Sequence, residues 1–99
     1  MKAARFVFRP QAAQDIESAH GWYERERAGL GDELLAEIRT TVQSVLAMPE
    51  AYPVISRQTR RALIHRFPYG LFYRIVDDTI VFVACFHTSR NPALWKRRR

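Results

Sequence analysis

The chain has 99 residues, of which 47% are hydrophobic, and a formal net charge of +6. This length predicts a single domain, residues 1–99, and no apolar segment reaches the roughly 18 residues that a membrane-spanning helix needs. A lone cysteine, Cys85, excludes an internal disulfide, and the N-terminus lacks the pattern of a secretory signal, so we expect a cytoplasmic protein.

The positive charge is concentrated in the C-terminal half. Residues 1–48 contain six Lys and Arg against seven Asp and Glu, whereas residues 49–99 contain ten against three. Four of these ten form a basic tail at residues 96–99. Such an asymmetry favours a polyanionic partner, which could be RNA, DNA or an acidic protein segment. The alternative is a solvated tail that only improves solubility.

The N-terminal half predicts one strand and two helices. Residues 4–8 are predicted to form a short strand, with Phe6 and Phe8 on one face and Arg5 and Arg9 on the other. Apolar residues then recur at helical spacing to about Glu26. Gly29 and Gly31 interrupt the helix, and a second apolar stripe runs to about Met48. Two helices joined by so few residues form an antiparallel hairpin.

The C-terminal half predicts a loop and three strands. The loop covers residues 49–59, and a strand follows over residues 60–67. Two apolar runs, residues 71–76 and 79–87, flank the acidic pair Asp77 and Asp78, which indicates a β-hairpin. The order β-α-α-β-β-β predicts an α+β fold, with a helical hairpin packed on one face of a small, mostly antiparallel sheet. The first strand is expected to run parallel to a later one.

Alternation along the strands assigns side chains to the two faces of this sheet. The residues expected in the helix-covered core are Leu71, Tyr73, Ile75, Phe82, Ala84 and Phe86. The residues expected on the opposite face are Arg61, Leu63, His65, Phe72, Arg74, Val83, Cys85 and His87. That second set mixes apolar and cationic groups, which indicates a partner-binding surface.

The chain contains no recognisable metal, cofactor or phosphate-loop motif. Its three histidines, His20, His65 and His87, lack the spacing of metal ligands, so neither a metal nor a cofactor is expected. What remains is a cationic set: Arg60, Arg61, His65, Arg66, Arg74, His87 and Arg90. Histidine can act as acid or base in RNA cleavage, and arginine can stabilise the transition-state charge. The alternative is that both strand histidines are structural.

The order and spacing of several short motifs resemble the ParE/RelE family of bacterial toxins, the plasmid-stabilisation type of type II toxin–antitoxin systems. The matching residues are Phe8, Pro10, the turn Gly29-Leu30-Gly31, Phe67-Pro68-Tyr69, Phe72-Tyr73-Arg74, His87, Arg90, Pro92 and Trp95. The interhelical turn is typical of the ParE-like branch.

The resemblance implies a growth-inhibiting toxin that is neutralised by a cognate antitoxin, as a homodimer or a toxin–antitoxin hetero-oligomer. RelE-like members are ribosome-dependent endoribonucleases that cut mRNA, whereas ParE-like members inhibit DNA gyrase. RelE-like nucleases place one catalytic arginine where this chain has Gly70 and another where it has Ser89, with Arg90 one residue on, while Arg61 matches their cationic residue on the second strand. The two departures favour the ParE-like branch, for which no catalysis is expected, whereas a RelE-like chain would be an endoribonuclease.

Two sets of site residues follow from these possibilities. If the chain is a ribonuclease, the catalytic candidates are Arg61, His65, His87 and Arg90. The residues expected to bind a partner are Arg61, Phe72, Arg74, Arg90 and Trp95. A third possibility is an antitoxin-binding module with weak or lost toxicity.

Overall fold

A computed structural model describes residues 3–90, and Trp95 with the basic tail lies outside the described residues. The N-terminal half forms strand β1 (Arg5–Phe8), helix α1 (Pro10–Glu26) and helix α2 (Leu30–Ala47). A short 3-10 helix, Pro49–Ala51, leads to strands β2 (Val54–Ser56), β3 (Thr59–Leu63), β4 (Tyr69–Val76) and β5 (Thr79–His87). Within residues 3–90, neither helix is long and apolar enough to cross a membrane.

The strands form one mixed sheet in the order β1-β5-β4-β3-β2. β1 runs parallel to β5, and the remaining pairs are antiparallel, which confirms the predicted α+β fold and the parallel first strand. The sheet has five strands instead of four, because β2 lies within the segment predicted as a loop. Three residues are too few to show an alternating pattern, so this strand forms through its pairing with β3.

The two helices approach each other closely near the turn between them. Gly29 adopts a left-handed conformation, with φ of 90°, at the N-terminus of α2. A Cβ added to Gly31 would lie 2.5 Å from the carbonyl oxygen of His20 in α1. Glycine is therefore required at both positions for different reasons: backbone conformation at the first and interhelical space at the second.

The main core lies between the helical hairpin and one face of the sheet. Its buried residues include Leu34, Ile38, Val42, Val45, Ala62, Leu71, Tyr73, Ile80, Phe82 and Cys85. Tyr73 is buried, and its hydroxyl donates a hydrogen bond to the carbonyl oxygen of Pro49. The predicted placement of Leu71, Tyr73 and Phe82 in this core is confirmed.

A β-bulge in β5 changes which residues reach this core. Phe72 pairs with Ala84 but Tyr73 pairs with Phe82, so Val83 is an extra residue on β5. Side chains alternate between the two faces of a strand, so one inserted residue moves every later side chain to the face opposite the one that simple alternation predicts. Cys85 therefore lies in the main core. Ala84 and Phe86 lie on the other face, so the predictions for these three residues were wrong.

Candidate functional site

The sheet face opposite the helices, called the second face from here on, combines a small apolar cluster with arginines. The buried residues of the cluster are Phe72, Val83, Ala84 and Phe86, all from β4 and β5. The rings of Phe72 and Phe86 meet edge to face, with centroids 6.2 Å apart. Among the described residues, this cluster contains none from either helix. The second face therefore has an apolar centre that is separate from the main core.

Arg61 lies beside this cluster. It is the Cα partner of Phe72 across β3 and β4, which places both side chains on the second face. The aliphatic part of Arg61 passes over Gly70, since a Cβ built on that glycine would lie 3.1 Å from Cγ and 3.2 Å from Cδ of the arginine. Gly70 thus leaves the space in which the side chain of Arg61 lies.

The Nε atom of Arg61 is buried and has no hydrogen-bond partner among the described residues. A buried donor left unpaired costs about 1–3 kcal/mol. A carboxylate or phosphate oxygen that reached this atom would remove that cost and add a charge-assisted hydrogen bond. The geometry around Arg61 therefore favours an anionic partner.

Two further arginines extend the positive charge over the second face. The guanidinium of Arg90 lies 4.6 Å from the centroid of the Phe86 ring, within the range of a cation–π interaction, and the residue is exposed. Arg74 is partly buried and donates a hydrogen bond of 3.0 Å to Oε1 of Gln58. The structure thus brings four of the five predicted partner-binding residues to one face, and Trp95 is outside the described residues.

The two histidines do not share this face. β3 ends at Leu63, so His65 lies beyond the sheet and is exposed. His87 pairs with Tyr69 and its ring packs edge to face on that tyrosine, which contacts the main core. The predicted common face for His65 and His87 was therefore wrong, because β3 is shorter than expected and the bulge reverses the end of β5.

His87 also has a local partner. Its Nδ1 atom lies 2.8 Å from the hydroxyl oxygen of Ser89 and accepts a hydrogen bond of 3.1 Å from the backbone N–H of that residue. This arrangement stabilises the turn after β5. It also directs the hydroxyl of Ser89 to the His87 ring.

Two other members of the predicted cationic set have structural partners. Arg60 donates hydrogen bonds to the carbonyl oxygens of Tyr52, at 2.6 Å, and Glu50, at 3.2 Å. Arg66 forms a 2.8 Å ion pair with Glu33 of α2, and the hydrogen bond from Arg66 lowers the pKa of that carboxyl. These arginines connect the sheet region to the preceding loop and to α2.

Sequence reasoning also missed Ile55, which packs against the cluster of the second face.

The sequence pattern of one toxin family covers nearly all of this architecture. The family described as "ParE toxin of type II toxin-antitoxin system, parDE" matches residues 6–92. The chain belongs to the ParE toxin family. The matched range includes both helices, strands β2 to β5, all of β1 except Arg5, and the arginines of the second face.

Solved structures agree with the fold of this ParE-family chain. A chain of the "Chromosomal ParDE TA system from P. aeruginosa" superposes with a TM-score of 0.75 at 13% sequence identity, covering 86% of this chain and 95% of that one. At so low an identity the likeness supports the fold alone. No curated protein sequence gives a match.

Proposed function

We propose that this ParE-family toxin acts in the cytoplasm on DNA gyrase to inhibit growth, and that a cognate antitoxin neutralises it by covering the second face. The observation that supports gyrase over RNA is the chemistry at Gly70 and Ser89. Family resemblance implies that an RNA-cleaving relative has arginines at these two places.

Neither position can supply the missing charge here. Gly70 has no side chain, and the side chain of Arg61 fills the space above it. Ser89 can donate a hydrogen bond but carries no charge, and its hydroxyl is already directed to His87. Removing one group that stabilises the transition-state charge costs about 3–4 kcal/mol in well-studied enzymes. The loss of two such groups argues against RNA cleavage by the RelE-like mechanism.

Neutralisation by an antitoxin is supported by the chemistry of the second face. The apolar cluster around Phe72 and Phe86 can receive aromatic or aliphatic side chains. Arg61, Arg74 and Arg90 surround it with positive charge, and Nε of Arg61 is a buried donor without a partner among the described residues. An acidic segment with interspersed apolar residues would complement both features.

The target can be tested with the purified protein in two parallel assays. One measures inhibition of DNA supercoiling by gyrase, and the other measures cleavage of mRNA on programmed ribosomes. We expect inhibition in the first assay and intact mRNA in the second. The double variant His65→Ala with His87→Ala is expected to inhibit gyrase as strongly as the parent.

Two results would change this conclusion. If the parent cuts ribosome-bound mRNA and the double histidine variant does not, the protein is a ribonuclease that uses these imidazoles. If neither assay responds while the antitoxin still binds, the chain is a binding module that has lost its toxicity.

The antitoxin surface can be tested by charge reversal. Arg61→Glu and Arg74→Glu place negative charge on the second face, whereas Arg25→Glu makes the same change in the last turn of α1. Truncating one partner of a buried charge pair costs about 2–5 kcal/mol, and every 1.4 kcal/mol is roughly a tenfold change in affinity. We expect at least about tenfold weaker antitoxin binding for the first two variants and little change for Arg25→Glu. Equal affinities for all three would contradict the proposed surface.

A further inference from the structure

Three side chains with metal-binding chemistry meet at the turn between the helices, on the other side of the molecule from the second face. His20 and Glu24 are one helical turn apart on α1, so they lie on the same side of that helix. Asp32 belongs to the first turn of α2. One ligand atom from each of these residues lies within 4.8 Å of the other two. The sequence did not reveal this group, because the third residue comes from another helix.

Backbone contacts already hold the glutamate in place. The two carboxylate oxygens of Glu24 accept hydrogen bonds of 3.1 Å from the N–H groups of Gly29 and Asp32. These two hydrogen bonds orient the Glu24 carboxylate before any ion arrives.

The imidazole ring of His20 is also held in place by its neighbours. Nε2 of His20 lies 3.0 Å from Oδ1 of Asp32. Both His20 and Glu24 pack directly against Gly31, where a Cβ would lie 2.8 Å from Cδ2 of the histidine and 2.7 Å from Cγ of the glutamate. The absence of a side chain at Gly31 is what allows the three ligand atoms to converge. His20 is partly buried and Asp32 is exposed, so solvent and ions can reach the group.

The combination of one imidazole and two carboxylates suits a borderline divalent cation. Zn²⁺ binds histidine nitrogen and carboxylate oxygen at about 2.0–2.2 Å, with three protein ligands and a water in sites that keep one open position. The same donors also accept Ni²⁺ or Co²⁺, while Mg²⁺ prefers oxygen ligands alone.

We propose that His20, Glu24 and Asp32 form a site for Zn²⁺ or a related first-row cation that links α1 to α2. The inference does not depend on the target of the toxin or on its antitoxin. A bound ion would connect the two helices where Gly31 lies against His20. It would therefore stabilise the folded chain by an amount that rises with the logarithm of the free metal concentration once that exceeds the dissociation constant.

The test uses the full chain, freed of metal with a chelator and then titrated with ZnCl₂ in a calorimeter and in a thermal unfolding assay. We expect one saturable site and a rise in the unfolding temperature with Zn²⁺ and none with Mg²⁺. Addition of Co²⁺ should give the visible absorption of a tetrahedral complex.

Single substitutions test which side chains bind the ion. His20→Ala should remove the site. Asp32→Asn keeps a side chain of the same shape but a poorer ligand, and it should weaken Zn²⁺ binding by at least about tenfold, the lower limit seen when groups supporting a metal site are changed. His65→Ala and His87→Ala change the other two histidines and should bind as the parent does.

Three results would overturn the proposal. One is a parent chain that shows no saturable binding. Another is a loss of binding in His65→Ala or His87→Ala equal to that in His20→Ala, which would indicate adventitious surface binding. The third is an Asp32→Asn variant that binds Zn²⁺ as tightly as the parent. This variant also tests the proposal if His20→Ala fails to fold.

Discussion

The role of the interhelical contact can be tested by making the same substitution at two helical glycines. Gly21 lies in the interior of α1, and Gly31 lies in the first turn of α2. Alanine is favoured over glycine inside a helix by about 0.8–1.0 kcal/mol. Both Gly→Ala changes therefore begin with a local advantage, which is smaller for Gly31 because it lies near a helix end. The surroundings of each new methyl group decide the outcome.

At Gly21 the methyl group has room. Its nearest neighbour would be Nη1 of Arg25 at 3.4 Å, the end of a flexible side chain. At Gly31 it would lie 2.5 Å from the carbonyl oxygen of His20 and 2.7 Å from Cγ of Glu24. Relief of this overlap requires the helices to move apart, and overpacking of this kind costs about 1–3 kcal/mol. Separation would also weaken the hydrogen bonds that the backbone N–H groups of Gly29 and Asp32 donate to Glu24.

We expect Gly21→Ala to raise the free energy of unfolding by about 0.5–1 kcal/mol and Gly31→Ala to lower it by about 1–2 kcal/mol. Urea unfolding followed by circular dichroism measures both, and a change of 1 kcal/mol corresponds to about 4–8 °C in the unfolding temperature of a domain this small. A Gly31→Ala protein as stable as the parent would refute the close approach of the helices. A destabilised Gly21→Ala would show that the outer face of α1 is more crowded than the structure indicates.

Three further predictions concern the core, alkaline pH and the tail. Phe82 is fully buried, so Phe82→Ala should lower the free energy of unfolding by about 3–5 kcal/mol in urea titrations. A loss below about 1 kcal/mol would contradict the position of Phe82 in the main core. Burial raises the pKa of the Cys85 thiol from 9.0 to about 12 and the pKa of the Tyr73 hydroxyl from 10.0 to about 12. Both groups keep their protons to higher pH in the folded state, so their contribution to stability should be constant below pH 9 and fall as the pH rises toward 12. A double variant, Cys85→Ala with Tyr73→Phe, should lose less stability over this alkaline range, and an unchanged loss would contradict this origin. Removal of residues 96–99 takes away four positive charges. The truncated protein should therefore bind polyanions more weakly, with a smaller dependence on salt, and should be less toxic. Full toxicity of the truncated protein would show that the tail only adds solubility.

The sequence by itself determined the elements that depend on local chemistry. Two apolar runs and the Asp77-Asp78 turn between them were enough to predict the β4–β5 hairpin. Asp77 adopts a left-handed conformation, with φ of 55°, which aspartate tolerates in such turns. Apolar residues at helical spacing and the glycines between them located both helices. These signals are strong because each depends on residues that are close together in the chain.

The tertiary structure decided what depends on residues far apart in the chain. The bulge at Val83 exchanges the faces of Cys85 and Phe86, and only the pairing of β5 with β4 shows it. The predicted face of Arg61 was correct, but its buried Nε atom depends on packing over Gly70. The group of His20, Glu24 and Asp32 likewise exists because two helices cross at a glycine. The alternation of apolar and polar residues along a strand does not show where a bulge inserts an extra residue. The spacing of residues along one helix does not show which side chain a second helix brings beside them.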